Sequence, residues 1–118
     1  MHELAVCQAL IEQVAQIAAQ HAAPGVKSVR IQLGPLCGVE PGLLQNAYPI
    51  ASAGSAAADS VLLIDMAPLT VKCDSCGAET AASVNRLLCG NCGDYHTQVI
   101  SGDEMLLLSV ELQHAVTH

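Results

Sequence analysis

Two stretches of the chain carry residue types whose spacing can do chemistry. The more specific is a doubled cysteine pair. Cys73-Asp74-Ser75-Cys76-Gly77 and Cys89-Gly90-Asn91-Cys92-Gly93 are two C-x-x-C-G units separated by twelve residues. Each pair can place two thiolates on one side of a metal ion, and the glycine after it can take a positive φ that turns backbone N–H groups toward the sulfurs. Four thiolates make a tetrahedral S4 site, which selects zinc or iron. Closed by four protein ligands, such a site has no open position for water, so its role is structural and not catalytic. A redox dithiol needs one pair, and the repetition therefore weighs toward a metal.

The second stretch is the start of the chain, Met1-His2-Glu3-Leu4. A bulky second residue prevents removal of the initiator methionine, so Met1 is expected to keep a free α-amine. That amine, the amide nitrogen of His2 and Nδ1 of its ring can close two fused chelate rings in one plane. Three coplanar nitrogens suit square-planar Ni(II) or Cu(II), with Glu3 adjacent to complete the site. Three residues are a short motif, however, and an exposed histidine at a helix start also has an inert reading.

Composition narrows the rest. The chain has 118 residues, 52% of them hydrophobic and 2% aromatic, without Trp or Phe. That is one domain or two small ones, too apolar for disorder and without a run near the ~20 residues of a membrane span. A small core of Leu, Ile, Val and Ala usually needs a staple, which a metal site supplies. Four cations, Lys27, Arg30, Lys72 and Arg86, face eleven acidic residues for a net charge of −7. No Lys/Arg stripe can form on such a chain, which excludes nucleic acid and an anionic membrane as partners. The first residues lack the basic start and continuous apolar stretch of a secretory signal, so the expected compartment is the cytoplasm, with cysteines reduced or metal-bound. With no phosphate-binding Gly-rich loop and no Ser/His/Asp or paired-carboxylate set, the chain is not expected to be an enzyme.

The elements that must position these residues follow from periodicity. Leu4, Cys7, Ile11, Val14 and Ala18 recur at spacings of three and four, with Leu10 and Ile17 widening the stripe, which predicts an amphipathic helix ended by Pro24-Gly25. Val26 to Leu33 alternates as a half-buried strand with Val29, Ile31 and Leu33 inward. Pro41 suits the first turn of a second helix, with Leu43, Leu44, Ala47, Ile50 and Ala51 on its buried side, and Pro49 should kink that helix or end it early. Val61 to Met66 and Tyr95 to Ile100 are strand candidates, and regular structure is hard to find between Cys73 and Cys92. In the last strand Leu106, Leu108, Val110 and Leu112 alternate against Leu107, Ser109 and Glu111 and form the expected core face. The result is an α+β domain interrupted by a cysteine-rich insert.

Several segments occur here in the order of a known family. They are Met1-His2-Glu3-Leu4, Cys7-Gln8-Ala9-Leu10, Val29-Arg30-Ile31-Gln32-Leu33-Gly34-Pro35-Leu36, Gly38-Val39-Glu40-Pro41, the doubled C-x-x-C-G, Ser101-Gly102-Asp103-Glu104-Met105-Leu106 and Ser109-Val110-Glu111-Leu112. Together, over residues 1–112, they resemble the HypA/HybF family, hydrogenase maturation proteins that deliver nickel. Cys37, where serine is usual, and Gln45 to Pro49, where an aromatic-rich helix is commoner, depart from the pattern.

The resemblance implies an α+β fold: a small nickel-binding domain of two helices packed on a mixed three-stranded sheet, plus an inserted zinc-ribbon-like domain. The expected boundaries are 1–68 and 103–113 for the first, 69–102 for the insert and 114–118 for a disordered tail. It implies Ni(II) as transiently bound cargo at Met1, His2 and Glu3, and structural Zn(II) at Cys73, Cys76, Cys89 and Cys92. Glu40 is a further candidate oxygen ligand or else a helix cap, and His96 a further ligand or an ordinary strand residue. The implied partners are a hydrogenase maturation GTPase and the hydrogenase large subunit, and the partner set also admits a homodimer. Two rival readings stay open on the residues alone: a zinc-ribbon adaptor mediating protein–protein interactions, and a dithiol oxidoreductase.

Overall fold

The computed structural model describes residues 2–114. The elements run α1 (Glu3–Gln20), β1 (Val26–Leu33), α2 (Pro41–Ser52), β2 (Val61–Met66), β3 (Leu69–Cys73), β4 (Glu79–Ala82), β5 (Thr97–Ser101) and β6 (Met105–Leu112). They make two three-stranded sheets, ordered β2-β1-β6 and β4-β3-β5. The chain divides into two compact units: residues up to Ile31 with Val39–Ile64 and the segment from Leu107 on, and Gln32–Gly38 with Asp65–Leu106.

In the first unit α1 packs on α2 through the stripe expected of it. Cys7, Leu10, Ile11, Val14 and Ala18 are buried, as are Leu44, Tyr48 and Ser52 of α2, Val26, Val29 and Ile31 of β1, and Leu62 of β2. Burying each large aliphatic side chain contributes about 1.5–3 kcal/mol, the main term holding a core without Trp or Phe. Leu4 does not join this stripe; it is exposed, and Glu3 takes the inward position one turn before Cys7. Leu43 and Ile50 are likewise exposed. The buried line of α2 runs at four-residue steps through Leu44, Tyr48 and Ser52, so Tyr48 fills the place expected of the aliphatic pair.

Pro49 does not end α2, which continues to Ser52. Only a last partial turn follows the proline, so its missing N–H costs one intrahelical bond at a helix end that frays in any case. At the end of α1 the N–H of Ala23 donates to the Ala18 carbonyl and that of Ala22 to the Ala19 carbonyl. This paired pattern closes a helix over a left-handed residue, here Ala22 at φ 51°.

The sheet β2-β1-β6 is mixed. Val26 N–H bonds the Ala56 carbonyl near the start of β2, and Ala67 N–H bonds the Leu33 carbonyl at its end, so β1 and β2 run the same way. Leu36 N–H to the Gly102 carbonyl and Gly34 N–H to the Glu104 carbonyl open an antiparallel ladder between β1 and β6. Gly34 is required where this ladder starts, because a Cβ there would sit 2.1 Å from the Gly102 carbonyl oxygen. Continued at two-residue steps, the ladder sets Gln32 opposite Leu106 and Arg30 opposite Leu108, on the outer face, and Ile31 opposite Leu107.

The expected core face of β6 is therefore corrected in its first half only: Val110 and Leu112 are less exposed than their neighbours Ser109 and Glu111, as expected, but Leu106 and Leu108 face outward. Leu106 and Leu108 are 46% and 47% exposed, whereas Leu107 is less exposed than either. Leu106, Leu107 and Leu108 are equally apolar, so hydrophobicity does not distinguish the faces there; the register does. The consequence is measurable by chemical unfolding. Ile31→Ala is expected to lower stability by about 2–5 kcal/mol, whereas Leu108→Ser is expected to change it by under about 0.5 kcal/mol; equal losses would return Leu108 to the core.

The second sheet pairs β3 antiparallel with both β4 and β5, with Val71 opposite Thr80 on one side and Val99 on the other. Leu69, Val71, Cys73 and Cys89 are buried here. The segment between the cysteine pairs contains β4, an element short of periodic signal because its sequence, Glu79-Thr80-Ala81-Ala82, has no large apolar residue.

Candidate metal centre

Two chain reversals of the same design build the centre. Cys73 ends β3, its N–H donates to the Ala78 carbonyl, and its own carbonyl accepts from Gly77 N–H at 3.0 Å. Sixteen residues later the pattern repeats: Cys89 N–H donates to the Asp94 carbonyl and the Cys89 carbonyl accepts from Gly93 N–H at 2.9 Å. Gly77 and Gly93 take φ of 74° and 78°, the left-handed turn expected after each pair. The turns aim amides at sulfur: Cys76 N–H donates to Cys73 Sγ at 3.4 Å, and Asn91 and Cys92 N–H donate to Cys89 Sγ at 3.3 and 3.4 Å.

The four sulfurs meet. Cys73 Sγ lies 3.6 Å from Cys92 Sγ, Cys76 Sγ lies 3.6 Å from Cys89 Sγ, and all four ligand atoms fall within 4.8 Å of one another. Sulfurs bound tetrahedrally at ~2.3 Å from one ion stand about 3.8 Å apart, so this donor set fits Zn(II). Cys73 and Cys89 are buried, whereas Cys76 and Cys92 are exposed. When bound, the ion supplies the positive charge that lets four thiolates share one small volume and ties the two reversals into one unit.

The thiols do not titrate alike. Amide donation from Cys92 and Asn91 holds Cys89 down at about 6. Cys92 also receives a hydrogen bond, from the Asp94 amide, yet the crowding of Cys73, burial, and the neighbouring Cys89 and Cys76 push it up to about 12. One thiol of the metal-free centre is thus largely ionised near neutrality while another stays protonated, as close like charges require.

Side chains around the cysteines brace the centre, among them Asp94 and Gln98, neither of them a sequence candidate. Asp94 accepts from the Ser75 hydroxyl and from Nδ1 of His96 at 2.8 Å, and these two partners hold its carboxyl well below the usual carboxylate range. Gln98 Nε2 donates to Asp74 at 3.1 Å, and the Asp74 amide donates to the His96 carbonyl at 2.8 Å. All of these bonds except that between Asp94 and His96 join a residue of the first reversal to one beyond the second cysteine pair. The only sequence signal for Asp94 was its position directly after the second C-x-x-C-G. His96 is placed in this second unit, its ring on Asp94 and stacked 4.1 Å from Tyr95.

The N-terminal candidates belong to the first unit. Met1 lies outside the described residues, as do residues 115–118 of the expected tail. His2 is exposed at the start of α1, and its side chain makes no capping hydrogen bond. Glu3 is buried, and its carboxylate accepts from the Glu40 N–H at 3.3 Å. The Glu40 carboxylate caps α2 by accepting from Gly42 N–H at 3.1 Å. The loop before α2 thus meets the start of α1 and also caps its own helix. Cys7 is buried with its thiol against the Leu44 carbonyl at 3.6 Å, a small core residue.

A two-helix, mixed-sheet α+β unit and a separate unit whose four cysteine sulfurs could hold one metal ion define a metal-handling protein. Comparison with known proteins gives the family. The profile of hydrogenase/urease nickel-incorporation metallochaperones, HypA, matches residues 1–112, and the chain belongs to that family. A hydrogenase maturation factor HypA from Nitrosospira multiformis is 51% identical over 112 residues, spanning 95% of this chain and 97% of its own length. The protein of the same name from Aquifex aeolicus is 36% identical over 113 residues, spanning 96% and 98%. In fold, the solution structure of the Ni metallochaperone HypA from Helicobacter pylori matches with a TM-score of 0.69 at 22% identity, over 98% of this chain and 100% of that one.

Two outcomes test the centre. Zinc added to metal-free protein at about pH 7.5 is expected to displace fewer than four protons per ion, since Cys89 is already largely ionised, and acidification is expected to weaken binding as protons compete for sulfur. A pH-indicator titration reads both. Cys73→Ser is expected to abolish tight zinc binding and the cooperative melting of the second unit while the helical circular dichroism of α1 and α2 persists; unchanged zinc content would remove the structural role.

Proposed function

We propose that this chain carries nickel: Ni(II) binds reversibly at the Met1 amine, the amide and ring of His2 and the adjoining Glu3, and passes to the hydrogenase large subunit during maturation, in concert with the family's maturation GTPase. The observation that carries the reading is the setting of His2 and Glu3. Glu3 is anchored by its buried carboxylate to the Glu40 amide, while His2, one residue earlier, is exposed with its side chain uncommitted to the helix cap. A fixed residue beside an open imidazole keeps two ligand-bearing positions close without enclosing the ion, which suits cargo that must leave.

Glu40 sets its amide on Glu3 and its carboxylate on the cap of α2, so the start of α1 and that cap draw on the same loop, from which the Glu40 carboxylate is a further candidate oxygen ligand. Zinc at Cys73, Cys76, Cys89 and Cys92 is the resident structural ion. The carrier turns over no substrate; nucleotide hydrolysis belongs to the GTPase. No helix among the described residues is long and apolar enough to cross a membrane, and we place the carrier in the cytoplasm, where free thiols stay reduced.

An amine and an imidazole bind nickel only when deprotonated, so acid favours release. In calorimetric titration of protein with a native N-terminus, His2→Ala is expected to weaken the tightest Ni(II) site at least a hundredfold with zinc content and fold unchanged. Unaltered tight binding in that variant would leave the zinc-ribbon adaptor as the better account.

A further inference from the structure

His21 and His114 are 93 residues apart in sequence and line one cleft of about 230 Å³ in the first unit, with Ala22, Ala23, Leu112 and Gln113. Both imidazoles are exposed. Their backbones are fixed from two sides. His21 is the residue at which α1 closes, its N–H bonded to the Ile17 carbonyl and the left-handed Ala22 following it. The Gln113 N–H donates to the Gly25 carbonyl at 2.9 Å, which ties the end of β6 to the segment leaving α1.

The electrostatics of the place favour a cation. The C-terminal end of a helix carries the negative end of its dipole, and the last turn of α1 contains no basic side chain to offset it. The chain as a whole carries a net charge of −7. Two neutral imidazoles are donors for borderline dications such as Ni(II), Cu(II) or Zn(II), whereas Mg(II) and Ca(II) prefer oxygen.

We propose that His21 and His114 form a second, weaker site for a borderline divalent cation, with water completing the coordination. The 18 residues of α1 put about 27 Å between its two ends, so no ion is shared with His2. In a nickel carrier this site holds an ion loosely at the far end of the helix from the tight one. Because both side chains are exposed, their replacement by alanine is expected to change stability by under about 0.5 kcal/mol, so loss of binding is not loss of fold.

The test uses the full zinc-loaded chain with Ni(II) as probe. His2→Ala is expected to retain one weak Ni(II) site, and adding His21→Ala or His114→Ala to it is expected to weaken that site at least tenfold. In the amide NMR spectrum of His2→Ala, paramagnetic Ni(II) is expected to broaden residues 20–25 and 112–114 first. Residual binding that survives both added substitutions, broadening centred elsewhere, loss on His118→Ala alone, or no residual site at all overturns the proposal. Persistence of the tight site in His2→Ala, with a weak site still sensitive to His21→Ala, would refute the N-terminal assignment and leave this one standing.

Discussion

Mutual repulsion among four thiolates is the constraint on which the second unit depends. Their sulfurs stand within 4.8 Å of one another, and Cys89 and Cys92 are driven to opposite ends of the thiol range by that closeness and by the amides around them. A dication removes the conflict, and the rest of the unit is arranged so that it can. The glycines at positive φ, the amides aimed at Cys73 and Cys89, and the bonds of Ser75, Asp74 and Gln98 across the reversals all fix where the sulfurs stand before any ion arrives. Leu69 and Val71 add apolar burial, but three short strands with so few large side chains make a marginal sheet by themselves.

The first unit solves a different problem with ordinary means. Its core is aliphatic, two helices share a buried seam, and a buried carboxylate accepts from a backbone amide across them. Glu40 links the helices there, with its amide on Glu3 and its carboxylate on the cap of α2. Stability comes from this packing, which leaves the histidines at both ends of α1 exposed.

What the sequence disclosed depended on how local the signal was. The doubled C-x-x-C-G names its own geometry, because spacing, glycine and sulfur chemistry all lie within five residues. The stripe of α1 and the alternation of β1 are equally local. The first half of β6 was illegible because Leu106, Leu107 and Leu108 are equally apolar and only pairing to β1 decides between them, whereas Val110 and Leu112 stand out against Ser109 and Glu111. Leu43 and Ile50 misled for a similar reason, since Tyr48 and the small Ser52 occupy the buried line instead. β4 lacks a large apolar residue, and the bracing by Asp94 needs two reversals brought together, which no linear pattern contains. Membership of the HypA family rests on the whole ordered set of segments, not on any one of them.

The outward placement of Cys76 and Cys92 has a consequence for the redox life of the molecule. Each reversal shows solvent one sulfur and hides one, and the hidden Cys89, the sulfur most readily ionised, lies 3.6 Å from exposed Cys76. Stripped of metal, the centre presents a nucleophilic thiolate beside an accessible thiol on the opposite reversal, the arrangement that favours cross-linking under oxidants. A metal ion held there would therefore also act as a protecting group: while it is bound the sulfurs are spoken for, and an oxidant would find no free thiolate with which to weld the two reversals together.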